Sequence, residues 1–290
     1  MSATLRRVLA SPLAAGWRAR AAAWRNPGPM RLWAHRGVSA HLPENTVAAL
    51  AAARAAGADG VELDVRLGAD GEVVVFHDDD LRRLAGQPGR IEDLSRAARA
   101  AVRIAGVHPV PTLIEALEAC APLAVNVELK TTRPGQGGRL AAAVAALCDR
   151  PGVRERILVS SFDPIALAQL RWHAPRLATA YLFHRDQWAP LRRGWPTLAI
   201  GASAVHPDDA LVTPARVDAC SSRLRGRELR RAAAAAAAQD PLGDRGDSRA
   251  AARAVFQREG DRLRRGPHGR SAPRDHLLSL IHISEPTRPY

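Results

Sequence analysis

A short acidic segment, Glu62-Leu63-Asp64-Val65, constrains the fold of this chain more than any other stretch of it. Glu62 and Asp64 alternate with valine and leucine, so on a β-strand both carboxylates point to the same face. The flanking residues are too apolar for an exposed edge strand, which makes solvated surface acids the weaker alternative. Buried carboxylates that lie close together repel each other unless a cation or a proton sits between them. The segment therefore predicts a buried strand that carries a site for a hard metal ion with oxygen ligands.

A second polar stretch, Phe76-His77-Asp78, follows the acidic strand closely. Asp70-Gly71 is a hairpin signal between the strand at 60–67 and the apolar run that ends at His77. The link is only about six residues long, whereas a parallel crossover needs a dozen or more. We therefore predict an antiparallel hairpin that brings His77 back beside Glu62.

Strand and helix signals alternate with short links through the middle of the chain, which predicts an α/β fold with a parallel sheet wound by helices. The predicted strands of this sheet are 32–36, 60–66, 124–130, 157–162, 177–183 and 197–203. Polar residues stand where these strands pass into helices, namely His35, Asp64, Lys130 and Ser161. In a (β/α)8 barrel that rim is where catalysis takes place.

The positive charge of the chain is confined to its two ends. The formal net charge is +13, and the excess lies in residues 1–31 and 221–290, whereas residues 32–220 are neutral. The middle of the chain therefore gives no case for a nucleic-acid groove. Residues 1–31 are rich in Arg and Ala, which is typical of a loosely ordered basic extension in weak contact with anionic lipid.

Cysteine use and hydropathy bear on the compartment. The three cysteines are odd in number and widely spaced, which indicates reduced, buried thiols rather than disulfides or a zinc site. No apolar run approaches the length of a membrane span. We expect a cytoplasmic protein, and secretion or peripheral membrane attachment is the less favoured alternative.

Seven short motifs stand in order along the chain, and together they resemble the glycerophosphodiester phosphodiesterase family. They are A-H-R-G (34–37), P-E-N-T (43–46), E-L-D-V (62–65), F-H-D (76–78), P-T-L-x-E (111–115), V-E-L-K (127–130) and S-S-F (160–162). The resemblance covers about residues 32–220. It implies a TIM-type (β/α)8 barrel, as in PI-PLC-like phosphodiesterases, with an inserted segment after the F-H-D hairpin. It also implies cleavage of glycerophosphodiesters to glycerol 3-phosphate and an alcohol.

The resemblance implies a role for the polar residues of these motifs. Glu62, Asp64 and Glu128 would hold one divalent cation, Mg²⁺ or Ca²⁺, and Glu44 would help hold the metal or a glycerol hydroxyl. His35 and His77 would be the general acid and base, and Arg36 and Lys130 would contact the phosphate. Lys130 is the only lysine in the chain, which favours a site that needs a compact ammonium. The remaining histidines of the middle region are interpreted as surface or packing residues: His41, His108, His173, His184 and His206.

The chain departs from the family after Ala219. Closing strands of the types W-T-V-N and G-I-I-T-D are missing, so we expect a barrel that lacks its last two strands after about residue 220. Residues 221–290 are rich in Arg, Gly and Asp, a composition typical of disorder. We interpret them as a disordered or artefactual tail produced by a frameshift, because residues 279–290 resemble a translated sequencing adapter.

Three alternatives to the soluble-diester phosphodiesterase stay open at this point. A lysophospholipase D would act on lipid substrates, although the mostly polar composition of residues 79–110 favours soluble diesters. A truncated barrel would have no activity, because an open core exposes sheet edges. An Arg-rich binder of nucleic acid or membrane that uses the two ends ranks last.

Overall fold

The computed structural model describes residues 32–133, 135–208 and 211. The basic extension predicted for 1–31 and the tail predicted for 221–290 lie outside the described residues. The prediction that the two closing strands are missing also falls on residues outside the described part of the chain.

The described residues form an α/β structure that begins with a strand and alternates strands with helices. The strands are β1 Trp33–His35, β2 Gly60–Leu67, β3 Val73–Val75, β4 Arg103–Ile104, β5 His108–Pro109, β6 Ala124–Leu129, β7 Ile157–Ser161, β8 Ala178–Phe183 and β9 Ala204–Pro207. The helices are α1 Val47–Ala55, α2 Arg82–Ala85, α3 Arg96–Ala101, α4 Leu113–Ala119, α5 Gln136–Cys148, α6 Pro164–His173, α7 Ala189–Arg192 and α8 Pro196–Ile200.

The main sheet runs in the order β1-β2-β6-β7-β8-β9, and all of these neighbours pair in parallel. This confirms the predicted parallel sheet wound by helices. Side-chain caps mark the starts of three helices. Thr46 caps α1, Thr112 and Glu115 form a capping box at α4, and Asp163 caps α6 just before Pro164.

The antiparallel hairpin that follows the acidic strand is confirmed. β1 pairs with the first half of β2, at residues 60–62, and β3 pairs antiparallel with the second half, at residues 65–67. The Phe76 N–H donates to the Asp64 carbonyl at 2.9 Å, so the pairing continues one step beyond β3. The hairpin therefore returns His77 to the level of Asp64.

The alternation of side chains along the strands separates two environments. Apolar side chains at odd-numbered positions, such as Val61, Val127 and Val159, pack with the helices into the main core. The opposite face is apolar near the amino ends of the strands, where Trp33, Ala124, Leu158, Ala178 and Ala204 form a cluster. It becomes polar toward the carboxyl ends, where it carries Glu62, Asp64, Asn126, Glu128 and Ser160, all of them buried.

The segment between the hairpin and α4 has a small core of its own. It contains α2, α3 and the β4–β5 pair, and its apolar side chains pack onto Val74 and Phe76 of the hairpin. This is the inserted segment that the resemblance implied. Its apolar side chains Leu81, Ile91, Val102 and Ile104 are buried within that cluster.

One predicted strand is wrong. Residues 197–203 were expected to form the sixth parallel strand, but residues Pro196–Ile200 form α8, and the strand is β9, Ala204–Pro207. Proline has a fixed φ and no N–H, and both properties suit the first turn of a helix. The short apolar stretch after Gly194 was thus compatible with either structure, and only the pairing of β9 with β8 distinguishes them.

Two further findings concern the cysteines and the hydropathy of the helices. Cys120 and Cys148 are free and buried, as expected of reduced thiols. Among the described residues, no helix combines the length and apolarity needed to cross a bilayer.

The buried His206 on β9 makes stability depend on pH. Neither of its ring nitrogens has a hydrogen-bond partner among the described residues, and burial lowers the pKa of His206 to about 3. The unfolded chain takes up this proton near pH 6.5, so stability is present above that pH and falls as the pH drops toward 3. We expect the free energy of unfolding to fall by up to about 1.4 kcal/mol per pH unit in this window. Urea denaturation at several pH values measures it, and in His206→Leu this share of the slope should vanish.

Candidate active site

Three carboxylates meet at the carboxyl ends of β2 and β6. Asp64 lies opposite Glu128 in the parallel register, and Glu62 lies one step earlier on the same face of β2. Ligand oxygens of these three acids all lie within 4.8 Å of one another, and all three side chains are buried. Sequence reasoning predicted this set of three, and the structure brings its members together.

The electrostatics of this acid cluster favour a bound cation. Burial, Asp64 and Glu128 raise the pKa of Glu62 well above its usual value, and the Glu62 Oε1 atom has no hydrogen-bond partner among the described residues. Burial also raises the pKa of Glu128. Burial acts in the same direction on Asp64, but Lys130, His77 and Arg36 outweigh it and lower the pKa of that carboxyl. A divalent cation fits this donor set, since it relieves the repulsion and ligates oxygens.

Lys130 follows β6 directly and lies beside two of the three acids. Its Nζ is 2.6 Å from Glu128 Oε1 and 3.1 Å from Asp64 Oδ1. Burial lowers the pKa of Lys130, but Asp64 and Glu128 act more strongly together and raise it, so the ammonium stays charged. The only lysine of the chain therefore lies beside the acid cluster, at the site where the sequence analysis expected it.

The loop after β1 packs a strained backbone against the same acids. Arg36 has a φ of 55°, and its N–H donates to Glu62 Oε2 at 3.1 Å. Its guanidinium lies 3.2 Å from Asp64 Oδ2 and 3.0 Å from Glu44 Oε1. Left-handed backbone at a residue other than glycine costs free energy and is often kept at functional sites.

Asn45 is a site residue that sequence reasoning missed. Its Nδ2 donates to Asp64 Oδ2 at 2.8 Å, and its Oδ1 accepts from the Asp64 backbone N–H at 3.3 Å. Asn45 also has a left-handed backbone, with a φ of 58°, which asparagine tolerates better than most residues. The only signal in the sequence was its place in P-E-N-T, which equally indicates a helix cap.

The two histidines contact different acids, and both are partly exposed. His35 Nε2 is 3.6 Å from Glu62 Oε2, and burial followed by Arg36 lowers the pKa of His35 to about 4. His77 Nδ1 is 2.7 Å from Asp78 Oδ1. Asp78 is a second site residue that the sequence prediction did not single out, although it stands in F-H-D. A hydrogen bond from Nδ1–H to Asp78 leaves Nε2 as the acceptor of the ring.

Glu44 is separate from the three-acid cluster. Arg83 of α2 donates to both of its oxygens at 2.7 and 2.9 Å, and Arg36 contacts it from the other side. Burial raises the pKa of Glu44, but the bonds from Arg83 and Arg36 outweigh this and lower it. Arg83 also bonds Asp78 at 2.6 Å, so it links Glu44 to the partner of His77. Arg83 carries no motif and could not be assigned from sequence.

A buried polar site at the carboxyl ends of parallel strands is typical of α/β enzymes, TIM barrels among them. The glycerophosphoryl diester phosphodiesterase family model matches residues 35–233. A glycerophosphodiester phosphodiesterase from Caldanaerobacter subterraneus is 32% identical over 64% of this chain and 79% of its own length. One from Bacillus altitudinis is 30% identical over 65% of this chain and 86% of its own length. The chain belongs to the glycerophosphodiester phosphodiesterase family.

Solved structures agree with this assignment. A phosphodiesterase from Oleispira antarctica, in complex with the product sn-glycerol-3-phosphate, matches with a TM-score of 0.60 and 27% identity, over 67% of this chain and 81% of that one. The Thermotoga maritima glycerophosphodiester phosphodiesterase matches with a TM-score of 0.56 and 30% identity, over 68% and 82% of the two chains. These likenesses confirm the TIM-type barrel as the fold class.

Gly37 holds the loop after β1 against α1, and we expect its substitution to be costly. Its φ is +82°, and an added Cβ would lie 2.5 Å from the carbonyl carbon of Ala49. Gly37→Ala should lower the free energy of unfolding by about 2–5 kcal/mol, from backbone strain and overpacking together. Gly71 has the same φ with no atom within 4 Å, so Gly71→Ala should cost only about 1–2 kcal/mol. Equal losses in urea denaturation would contradict the close approach at Gly37.

Proposed function

We propose that this protein hydrolyses glycerophosphodiesters to glycerol 3-phosphate and an alcohol, using one divalent cation, Mg²⁺ or Ca²⁺. The observation that carries the proposal is the buried acid cluster of Glu62, Asp64 and Glu128, flanked by two histidines and two fixed cationic side chains. Family membership supports the reaction, and a related phosphodiesterase was solved with sn-glycerol-3-phosphate as its product.

Glu62, Asp64 and Glu128 are proposed to hold the cation, which when bound would polarise the phosphoryl oxygens and offset their charge. Asn45 orients the Asp64 carboxylate through its bond to Oδ2. Lys130 and Arg36 are proposed to contact the phosphate, since both lie at the cluster with side chains held by acids. The two positively charged side chains and the metal ion together suit a substrate whose reacting group, a phosphodiester, is an anion.

The two histidines are proposed to move the protons. With Nδ1–H donated to Asp78, His77 presents Nε2 as a base that takes a proton from the attacking hydroxyl. His35 is proposed to give a proton to the leaving alcohol oxygen as the P–O bond breaks. Burial and Arg36 lower the pKa of the free His35 to about 4. A phosphate anion bound beside it would act in the opposite direction, because an opposite charge raises the pKa.

The neighbouring hydroxyl of the glycerol is the proposed first nucleophile. Its attack on phosphorus expels the alcohol and gives a cyclic phosphate, which water then opens to glycerol 3-phosphate. In the second step the histidines exchange roles: one deprotonates the water while the other protonates the released glycerol oxygen.

The inserted segment favours soluble diesters over lipids. Most of its large apolar side chains are turned into its own core against the hairpin, and Val107 is the one described as strongly exposed within residues 79–110. A lipid-facing insertion would present an apolar surface to the substrate. A lysophospholipase D activity is therefore the weaker candidate.

Removal of either histidine tests the proton transfers. His77→Gln and His35→Gln should each lower kcat for release of glycerol 3-phosphate from glycerophosphocholine by roughly 10²- to 10⁴-fold. His173→Gln, on the exposed face of α6, is the matched control and should retain full activity. A cooperative thermal melt by circular dichroism must accompany each variant. Wild-type protein that melts cooperatively and releases no glycerol 3-phosphate would refute the proposed function, and a non-cooperative melt would favour the inactive truncated barrel.

Removal of the metal tests the acid cluster. Chelation with EDTA should abolish activity, and Mg²⁺ or Ca²⁺ should restore it, the ion with the lower half-saturating concentration being the cofactor. Glu128→Gln, which removes the charge of a proposed ligand, should weaken metal affinity by more than the roughly 10- to 100-fold that is typical of losing an outer-shell partner. The exposed Glu155→Gln should leave the affinity unchanged. Unchanged activity in EDTA would exclude a metal-dependent reaction.

A further inference from the structure

Arg66 lies on the same face of β2 as Glu62 and Asp64, yet no motif assigns it a role. Among the described residues it has the largest fully buried side chain, with 2% of its surface exposed. Its guanidinium donates twice to the backbone carbonyl of His77, from Nη2 at 2.7 Å and from Nε at 3.1 Å. Two hydrogen bonds from one planar guanidinium to the same oxygen restrict the position and the orientation of the carbonyl.

The remaining donors of Arg66 join the inserted segment to the rest of the site. Nη2 bonds Asp79 Oδ1 at 2.6 Å, and Nη1 bonds Glu92 Oε1 at 2.9 Å and Thr132 Oγ1 at 3.0 Å. Asp79 follows Asp78, the residue whose carboxylate holds the His77 ring. Arg66 thus holds the chain both at His77 and just beyond Asp78.

We propose that Arg66 is a positioning residue for His77, which it holds at the acid cluster through the backbone rather than through the imidazole. This inference rests on the proposed function of His77. Arg66 differs from Arg36 and Lys130 in its partners: its nitrogens bond the His77 carbonyl, Asp79, Glu92 and Thr132, whereas Arg36 and Lys130 bond acids of the candidate site itself. We therefore assign Arg66 no contact with the substrate. By holding the His77 backbone, Arg66 fixes the point from which the imidazole side chain extends toward the acid cluster.

Loss of Arg66 leaves its buried partner Glu92 with other positively charged side chains nearby. Glu92 also accepts from Arg90 at 3.2 Å and lies 3.7 Å from Arg133. The largest penalty for breaking a buried ion pair, an acid stranded without a positive charge, is therefore reduced. The variant is expected to fold with lowered stability.

Arg99 provides a matched control in the same part of the molecule. It too is buried, and from α3 it bonds both oxygens of Asp70 at 3.1 Å and contacts Glu72. Asp70 and Glu72 lie in the turn of the same β2–β3 hairpin, at the end away from His77. Arg99 and Arg66 thus hold one hairpin to one inserted segment at opposite ends, and only Arg66 contacts a proposed catalytic residue.

The test compares steady-state kinetics and melting temperatures of full-length Arg66→Ala, Arg66→Lys and Arg99→Ala with glycerophosphocholine as substrate. Arg66→Ala should lose roughly 10- to 100-fold in kcat with KM little changed, since a small misplacement of a catalytic group has that effect. Millimolar guanidinium ion should restore much of the loss by refilling the site. Arg99→Ala should show a comparable drop in melting temperature with kcat unchanged. Arg66→Lys, which keeps the charge but loses the fork, should fall between wild type and Arg66→Ala, and it replaces Arg66→Ala if that variant does not fold.

The outcomes separate the inference from the function on which it rests. An Arg66 variant with a lowered melting temperature that still has the wild-type kcat at temperatures where it is folded would overturn the positioning role. An equal loss of kcat in Arg99→Ala would do the same, because it would show a general effect of loosening the hairpin. Wild-type protein without phosphodiesterase activity would instead refute the proposed function, and the inference with it.

Discussion

Mutual repulsion among three buried carboxylates is the constraint on which the rest of this structure depends. Glu62, Asp64 and Glu128 come from adjacent strands, and their oxygens lie within 4.8 Å of each other. Burying a single uncompensated charge costs several kcal/mol even after the protein relaxes. The surrounding sequence supplies partial relief through Lys130 and Arg36, and a proton or a cation must supply the remainder. Such a cluster lowers the stability of the fold, but it shifts pKa values and can bind a cation, and both properties are typical of functional sites.

The loops around the cluster are held by charge pairs as well as by apolar packing. Arg36 and Arg83 share Glu44, while Arg66 joins the hairpin to the inserted segment. The middle of the chain is electrically neutral, with as many acidic as basic residues over 32–220. Its acids and arginines are paired with one another around the site. Arginine suits this role because its planar fork satisfies two acceptors at once.

The elements that could be predicted were those governed by short-range rules. The alternation in 60–67 indicated which face of β2 carries the acids, and the short link after it allowed only an antiparallel return. The starts of α1, α4 and α6 follow the same kind of rule, since each is marked by a side-chain cap from a residue next to it in the sequence. The prediction failed at 197–203, where one apolar stretch suited a helix and a strand equally and the pairing of β9 with β8 decided between them.

The sequence by itself determined the chemistry available to this protein: which acids, cations and histidines stand at the ends of which strands. It could do so because side-chain direction along a strand has a period of two and because the motifs lie in order. Only the tertiary structure decided how those groups are held. Asn45 reaches across to Asp64, Arg83 links Glu44 to Asp78, and Arg66 grips the carbonyl of His77. These contacts join residues 5 to 39 positions apart along the chain, and no local pattern encodes which oxygen a donor will meet.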